Sequence, residues 1–212
     1  MTGYIAVEGQ GDVAASANLI ARLSTSLGLP LTWKTPARWK NLHLPRGLTA
    51  LANVVRSLPD IAALLVLRDE DDACPKERGP ALARTLADLN LPFPAAVVLL
   101  HREYEVLFLA SLSSLAGRPL GAGAAERAGL AAGSEFDGDL EGLRGVKEWL
   151  SSRFPPGKIY KPSLDQLPLT RLIDFDLVRR SALPCFGTLE RALRFIAENP
   201  SGVYPPPGPR EE

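Results

Sequence analysis

The sequence is poor in cysteine, balanced in charge and without a long apolar run. Its two cysteines, Cys74 and Cys185, lie far apart and outside any CxxC spacing, which argues against a zinc site and gives no sign of a disulfide framework. Lysine plus arginine and aspartate plus glutamate both number 24. No global field therefore attracts nucleic acid or a membrane surface, and such binding must rest on a local patch.

The first residues carry no basic segment, and no run approaches about 18 apolar residues. The sequence therefore indicates neither a signal peptide nor a membrane span, and a reducing cytoplasm fits the cysteine usage best.

Strand-like and helix-like segments alternate along the chain instead. Three apolar runs have the length and pattern of strands covered on both faces: Tyr4–Val7, Ile61–Leu67 and Ala95–His101. Between and after these runs, apolar residues recur at helical spacing in four segments: Val13–Leu27, Leu48–Leu58, Glu77–Leu89 and Tyr104–Leu115. This alternation predicts an α/β, Rossmann-like fold with a mostly parallel sheet flanked by helices.

Composition suggests four regions. Residues 1–116 form the predicted α/β core, whose segment Leu31–Lys40 is a candidate edge strand because Pro36 cannot donate to a central ladder. Residues 117–145, rich in glycine and alanine, indicate a loop-rich insertion or lid. Residues 146–200 predict a C-terminal helical extension, with helices near Val146–Arg153 and Thr188–Glu198. Residues 201–212, rich in proline and glycine, predict a disordered tail.

Acidic residues follow each of the three predicted core strands. The carboxyl ends of parallel strands share one edge of the sheet, and ligands of open α/β sheets bind there. Two carboxylates about 4 Å apart repel by roughly 4 kcal/mol at an effective dielectric constant of about 20, so a hard cation such as Mg²⁺ or Mn²⁺ is expected to offset the repulsion. In chain order the acids are Glu8, then Asp69, Asp71 and Asp72, then Glu103 and Glu105.

These acids have other readings. Asp12 lies where a helix N-cap is expected, and Asp71 and Asp72 stand before a helix that they could cap. Glu103 and Glu105 could lie in a first helical turn, where acids favour the dipole, and at i and i+2 only one of them would reach a site. In an extended segment, by contrast, Asp69 and Asp71 point the same way and can share one metal.

Two motifs resemble the TOPRIM domain, the metal-binding α/β module of topoisomerases, bacterial primases and the OLD (overcoming lysogenization defect) nucleases. "VEGQGD" matches its Glu-Gly turn after the first strand, and "LRDEDDACP" matches its Asp-x-Asp after a later strand, over roughly residues 3–112. With "HREYEVLFLAS" and "YKPSLDQLPLTRLID", the chain is similar to the TOPRIM-like family called domain of unknown function 4276. Members of that family are often encoded beside ABC-type ATPases in phage-defence loci.

The resemblance implies a metal-dependent nuclease that hydrolyses phosphodiester bonds, with Mg²⁺ or Mn²⁺ as cofactor, nucleic acid as substrate and an ABC-type ATPase as partner. It assigns catalytic metal binding to Glu8, Asp69 and Asp71. The alternative is a non-catalytic docking or regulatory subunit of such an ATPase. In the nuclease hypothesis, Asp72, Glu103 and Glu105 are candidates for outer-shell contacts or for ligands of a second metal ion.

Basic residues are needed to hold phosphates. Arg102 stands beside the acids, and Lys158 and Lys161 lie in "GKIYKP". A second basic patch, interleaved with two tryptophans that could stack on bases or pack in a core, consists of Lys34, Arg38, Lys40 and Arg46 with Trp33 and Trp39.

Overall fold

A computed structural model of the chain describes residues 1–121, 123 and 126–208. Its strands are β1 (Thr2–Val7), β2 (Thr32–Trp33), β3 (Ala37–Arg38), β4 (Ala63–Glu70), β5 (Ala95–His101) and β6 (Val203–Tyr204). Its helices are α1 (Asp12–Ser26), α2 (Pro45–Ser57), α3 (Pro75–Asp88), α4 (Val106–Ala110), α5 (Leu112–Leu115), α6 (Val146–Arg153), α7 (Leu167–Leu172), α8 (Phe175–Arg180) and α9 (Pro184–Glu198). A π-helical turn, Pro162–Gln166, leads directly into α7.

The six strands form one sheet with the order β2-β1-β4-β5-β6, and β3 joins β1 on the same edge as β2. The strands pair in parallel, with Ile5 opposite Leu65 and Val66 opposite Val97. Helices flank this sheet, so the predicted α/β, Rossmann-like fold class is confirmed. The carboxyl ends of β1, β4 and β5 consequently lie side by side at one end of the sheet, which we call its carboxyl edge.

Two apolar cores cover the two faces of the sheet. On one face, Ile5 and Leu65 pack with Leu19 of α1 and with Leu189 of α9. On the other face, Val66 packs with side chains of α2 and α3. The strands are therefore buried on both sides, which explains why β4 and β5 read as continuous apolar runs.

The predicted edge strand Leu31–Lys40 is present as two short strands, β2 and β3, that both pair with β1. Pro36 lies between them, where a missing backbone N–H interrupts no ladder. The sequence pattern therefore identified the edge, although not its division.

The helices after residue 145 pack on the α1 face of the sheet. Leu150, Val178 and Ile196 belong to the same apolar core as Ile5, so these helices complete one face of the sheet. Before them, the described residues of the 117–145 region contain no strand longer than the isolated antiparallel bridge between Leu120 and Arg127. The described helices include none with the length and apolar character needed to cross a membrane.

The predicted disordered tail differs from the structure over residues 203–208. β6 pairs with Ala95 and Ala96 of β5, the Gly208 N–H donates to the Pro80 carbonyl at 3.0 Å, and Arg84 donates to the Gly208 carbonyl. Proline and glycine prevent a helix here, but edge pairing and the Arg84 contact still fix the chain. Residues 209–212 lie outside the described part.

Candidate functional site at the acidic edge of the sheet

The acids at the carboxyl edge fall into two groups on opposite faces of the sheet. Side chains alternate along a strand, so Arg68 and Glu70 follow Val66 toward α2 and α3, whereas Asp69 follows Leu67 toward α1. Neighbouring residues of a strand therefore place their side chains in different groups.

The group on the α2 and α3 face is held by an arginine, and we call Glu8, Arg68 and Glu70 the arginine-bridged cluster. The Arg68 Nε lies 3.0 Å from a Glu8 carboxylate oxygen, and its Nη1 lies 2.5 Å from Glu70. The other Glu8 oxygen accepts the Leu42 N–H at 2.8 Å and lies 3.7 Å from the His43 Nδ1. Burial alone would lower the pKa of Arg68, but its hydrogen bonds to Glu8 and Glu70 outweigh burial and raise it.

The group on the α1 face, which we call the acid cluster, consists of Asp12, Asp69, Glu103 and Glu105. Lys147 of α6 lies among these acids, with its Nζ 2.9 Å from Glu103 and 3.3 Å from Glu105. The Tyr160 hydroxyl donates to the other Glu105 oxygen at 2.8 Å. Of the four carboxylates, Glu103 and Glu105 therefore pair with the lysine.

Glu103 and Glu105 both reach Lys147, in contrast to the expectation that only one would enter the site. The predicted helix Tyr104–Leu115 is divided into α4 and α5, and Glu105 lies just before the first residue of α4. Glu103 thus belongs to the connection between strand and helix. Helical spacing does not separate the two side chains there, because the helix has not yet begun.

Asp12 is not the N-cap of α1, since it is the first helical residue and the preceding position is Gly11. One Asp12 oxygen accepts the Gly9 N–H at 2.9 Å, and the other accepts Nε2 of Gln166 at 2.7 Å. A Cβ at Gly11 would lie 2.2 Å from the Gln166 Oε1 and 3.1 Å from the Pro162 backbone carbonyl carbon, so the close approach of the π-helical turn favours glycine. The "EGQGD" turn and the C-terminal segment therefore build this part of the site together.

Burial and mutual repulsion dominate the electrostatics of the acid cluster. The pKa of Asp69 is raised well above its ordinary value, first by burial and then by Glu105 and Asp12, against a smaller opposing effect of Lys147. Burial also raises the pKa of Glu105, which is 1% exposed. Burial would lower the pKa of Lys147, but Glu105 and Glu103 outweigh it and raise that pKa. The surroundings therefore disfavour the charged forms of Asp69 and Glu105 and favour the charged form of Lys147.

The other predicted acids lie outside this cluster. Asp71 and Asp72 are exposed beyond β4, and Asp72 pairs with Arg144 at 3.2 Å on the surface, where an ion pair contributes little. Neither caps α3, whose N-cap residue is Cys74 without a side-chain hydrogen bond.

The predicted phosphate ligands differ in their availability. Arg102 has a positive φ of 70° and donates to the backbone carbonyls of Asp71 at 2.7 Å and Glu141 at 3.2 Å, so it ties two loops together. Lys158 and Lys161 are exposed, on the segment that leads into the π-helical turn.

The two tryptophans are packed. The Trp33 indole N–H donates to the Ser24 hydroxyl and that of Trp39 donates to the Tyr4 hydroxyl, each at 3.1 Å, and each ring contacts an apolar core. Both tryptophans therefore pack against the apolar cores, which is one of the two roles expected from the sequence.

Lys147, Tyr160 and Gln166 were not predicted as site residues. Lys147 and Gln166 reach the acid cluster from more than 40 and more than 150 residues away, as their bonds to Glu103 and Asp12 show. Lys147 lies outside the recognised motifs, whereas Tyr160 and Gln166 lie within the segment "YKPSLDQLPLTRLID" that carries part of the family resemblance. Asp12 could have been recognised, because it belongs to the same Glu-Gly motif as Glu8.

The donors suit a hard cation only in part. The described residues contain no group of three or more His, Cys, Asp or Glu side chains arranged to hold a metal ion. Mg²⁺ is, however, commonly held by one or two carboxylates together with water and substrate phosphates. The Asp69 carboxylate has no hydrogen bond or ion pair to any described residue, and it is coupled to Asp12 and Glu105, so its chemistry fits that mode of binding.

Comparisons of the chain with family models, with curated proteins and with solved structures found no match. The resemblance to TOPRIM domains therefore stays a prediction from the sequence motifs.

Proposed function

We propose that the chain is a Mg²⁺- or Mn²⁺-dependent phosphodiester hydrolase, a nuclease of the TOPRIM type. The observation that carries the proposal is the Asp69 carboxylate, whose pKa is raised by burial, Glu105 and Asp12 at the carboxyl edge of a parallel sheet. Such a carboxylate gains from a nearby cation, and the one lysine of the cluster pairs with Glu103 and Glu105 instead.

Asp69 and Asp12 are the residues that would hold the cation. When bound, a divalent ion supplies an activated water and neutralises charge on the departing oxygen. Gln166 fixes the orientation of Asp12 through its 2.7 Å hydrogen bond. Tyr160 fixes Glu105 through a hydrogen bond and Lys147 does so through an ion pair. Working with an ABC-type ATPase in phage defence is part of the same proposal and rests on the sequence resemblance.

One observation favours the second candidate function, a non-catalytic docking or regulatory subunit of such an ATPase. Glu8, the acid that the TOPRIM motif assigns to the metal, has its charge balanced by the Arg68 guanidinium, on the face of the sheet opposite Asp69. The three predicted ligands Glu8, Asp69 and Asp71 are therefore not assembled in one place.

Calorimetric titration with MnCl₂ separates the two functions. The wild type is compared with Asp69→Asn and with the matched control Asp60→Asn, which changes an exposed aspartate whose positive φ of 64° suits asparagine. The proposal expects saturable binding in the wild type and the control and its loss in Asp69→Asn, with unchanged circular dichroism.

Cleavage of labelled oligonucleotides in Mg²⁺ or Mn²⁺, with EDTA as the blank, then tests hydrolysis. The nuclease proposal is supported if Asp69→Asn loses cleavage while the wild type and Asp60→Asn retain it. Metal-dependent cleavage that survives this substitution contradicts it, and absence of metal binding in the wild type, with and without an oligonucleotide, favours the docking subunit.

A further inference from the structure

The segment from residue 157 to residue 166 has an inner and an outer side. Its inner side chains build the acid cluster: Tyr160 donates to Glu105 at 2.8 Å, and Gln166 donates to Asp12 at 2.7 Å. Asp165, 4% exposed, accepts the Lys161 backbone N–H at 2.7 Å and so fixes the start of the π-helical turn. Whatever binds the outer side of this segment therefore lies one residue layer from the acids.

The outer side consists of Lys158, Ile159, Lys161 and Leu164, which we call the 158–164 surface. Ile159 is 61% exposed and Leu164 is 58% exposed. In the part of the chain that the structure describes, the other large apolar side chains with comparable exposure are Met1 and Val54. Single exposed apolar residues are ordinary, but two of them beside two lysines form a defined surface.

A cavity of about 210 Å³ lies within the 158–164 surface. Phe154 and Arg127 contribute to its wall, and Arg127 is held there by the Asp165 carboxylate at 2.7 Å. Pockets for drug-sized ligands measure about 300–1,000 Å³, so this cavity suits one planar ring of a larger molecule.

The charges of the surface select the occupant. The Lys158 and Lys161 ammonium groups have no acidic partner among the described residues, so they are available for phosphates. A single-stranded nucleic acid presents phosphates and unstacked bases together, and its bases pack on apolar and aromatic side chains. In a duplex the base faces are stacked on each other, so Ile159 and Leu164 would have no exposed base to pack against.

We infer that the 158–164 surface binds single-stranded nucleic acid, with phosphates on Lys158 and Lys161 and a base against Ile159, Leu164 and the cavity beside Phe154. The inference rests on the proposed function and specifies its substrate. The strand would continue past Tyr160 toward the acid cluster.

Fluorescence anisotropy tests the inference with short labelled oligothymidine and oligouridine and with a hairpin duplex of equal length. The measurement uses the Asp69→Asn chain in EDTA, so binding is observed without metal or cleavage. We expect at least one single strand to bind tighter than the duplex. The double substitution Ile159→Ser with Leu164→Ser should weaken single-strand binding about tenfold, which corresponds to about 1.4 kcal/mol.

The control substitution Val54→Ser removes an exposed apolar side chain elsewhere and should leave binding unchanged. Replacing Lys158 and Lys161 by alanine should lower the slope of log affinity against log salt concentration by about 1.4, since each phosphate contact of a single strand contributes about 0.7.

Equal affinity for duplex and single strands, or full affinity after the double serine substitution, overturns the inference. If no oligonucleotide binds while the wild type binds Mn²⁺ through Asp69, the inference fails and the metal site stands. If the single strand binds as expected but no metal binds, the proposed hydrolysis fails and the binding surface stands.

Discussion

Two groups of carboxylates lie at the same edge of the same sheet and differ in how their charge is balanced. In the arginine-bridged cluster, two glutamates share the Arg68 guanidinium, which is 8% exposed and fits both of them. In the acid cluster, Lys147 pairs with Glu103 and Glu105, and Asp69 has no hydrogen-bond or ion-pair partner among the described residues.

The difference shows that position in the fold alone does not define a site. A carboxylate with a buried arginine partner has its charge compensated within the protein, and loss of that partner alone leaves a costly uncompensated charge. A carboxylate with a raised pKa and no partner costs stability in the folded state when it is charged. The following changes test this contrast.

Replacing Arg68 by methionine should have the largest effect. Glu8 and Glu70 then lose their shared counter-charge, and we expect the free energy of unfolding to fall by about 3 kcal/mol, the lower end for a broken buried pair because Glu8 remains partly exposed. Urea denaturation measures the loss. Adding Glu8→Gln and Glu70→Gln to the same chain should restore most of it, and a triple variant no more stable than the single one would contradict this account.

Replacing Lys147 by methionine should destabilise the protein by about 2 kcal/mol at pH 7, less than a fully buried pair, because the Lys147 side chain is 34% exposed. The cost should shrink in acid, where Glu105, whose pKa is raised by burial, becomes protonated. If the acid cluster binds cations, this variant should also bind Mn²⁺ more tightly than the wild type in calorimetry. A pH-independent loss would show that Lys147 acts through packing alone.

Replacing Gly11 by alanine should cost about 1–2 kcal/mol, as overpacked sites do, because the new Cβ would meet the Gln166 Oε1 and Pro162. Gly187 of α9 provides the matched control, since its nearest neighbour is the flexible end of Arg191 at 3.3 Å. Alanine favours a helix interior, so Gly187→Ala should be neutral or stabilising. Equal stability changes at both positions, measured by thermal unfolding, would contradict the proposed contact.

Replacing Asp69 by asparagine should have the smallest effect, and of opposite sign. The pKa of Asp69 is raised on folding, so the native state binds its proton more strongly and stability falls as pH rises from the unfolded toward the folded pKa. The neutral variant should therefore have a higher Tm than the wild type at pH 7 without metal. In a chain of this size, each kcal/mol of stabilisation raises Tm by about 2–4 °C. The gain should vanish in strong acid, and a lower Tm at pH 7 would sink the idea.

Periodicity and strand chemistry predicted most of the fold. The apolar runs gave β1, β4 and β5, and Pro36 indicated the edge, because local burial patterns determine these elements. The tail was misjudged because β6 is held by long-range pairing with Ala95, which composition does not encode.

The candidate site was only partly predictable. That acids gather at the carboxyl edge followed from strand order, but the division into two clusters depends on the face that each residue occupies after its strand ends. Lys147 and Gln166 arrive through tertiary packing from the C-terminal helices. Lys147 lies outside every recognised motif, so only the fold could reveal its role.

Both edges of the sheet are made of very short strands next to proline. β2, β3 and β6 contain two residues each, Pro36 separates the first two, and Pro205 follows the third. Long unpaired edges invite further strands from other molecules, and short, proline-interrupted edges discourage such growth. The sheet is thereby protected against fibril-like growth by strand addition at its two side edges.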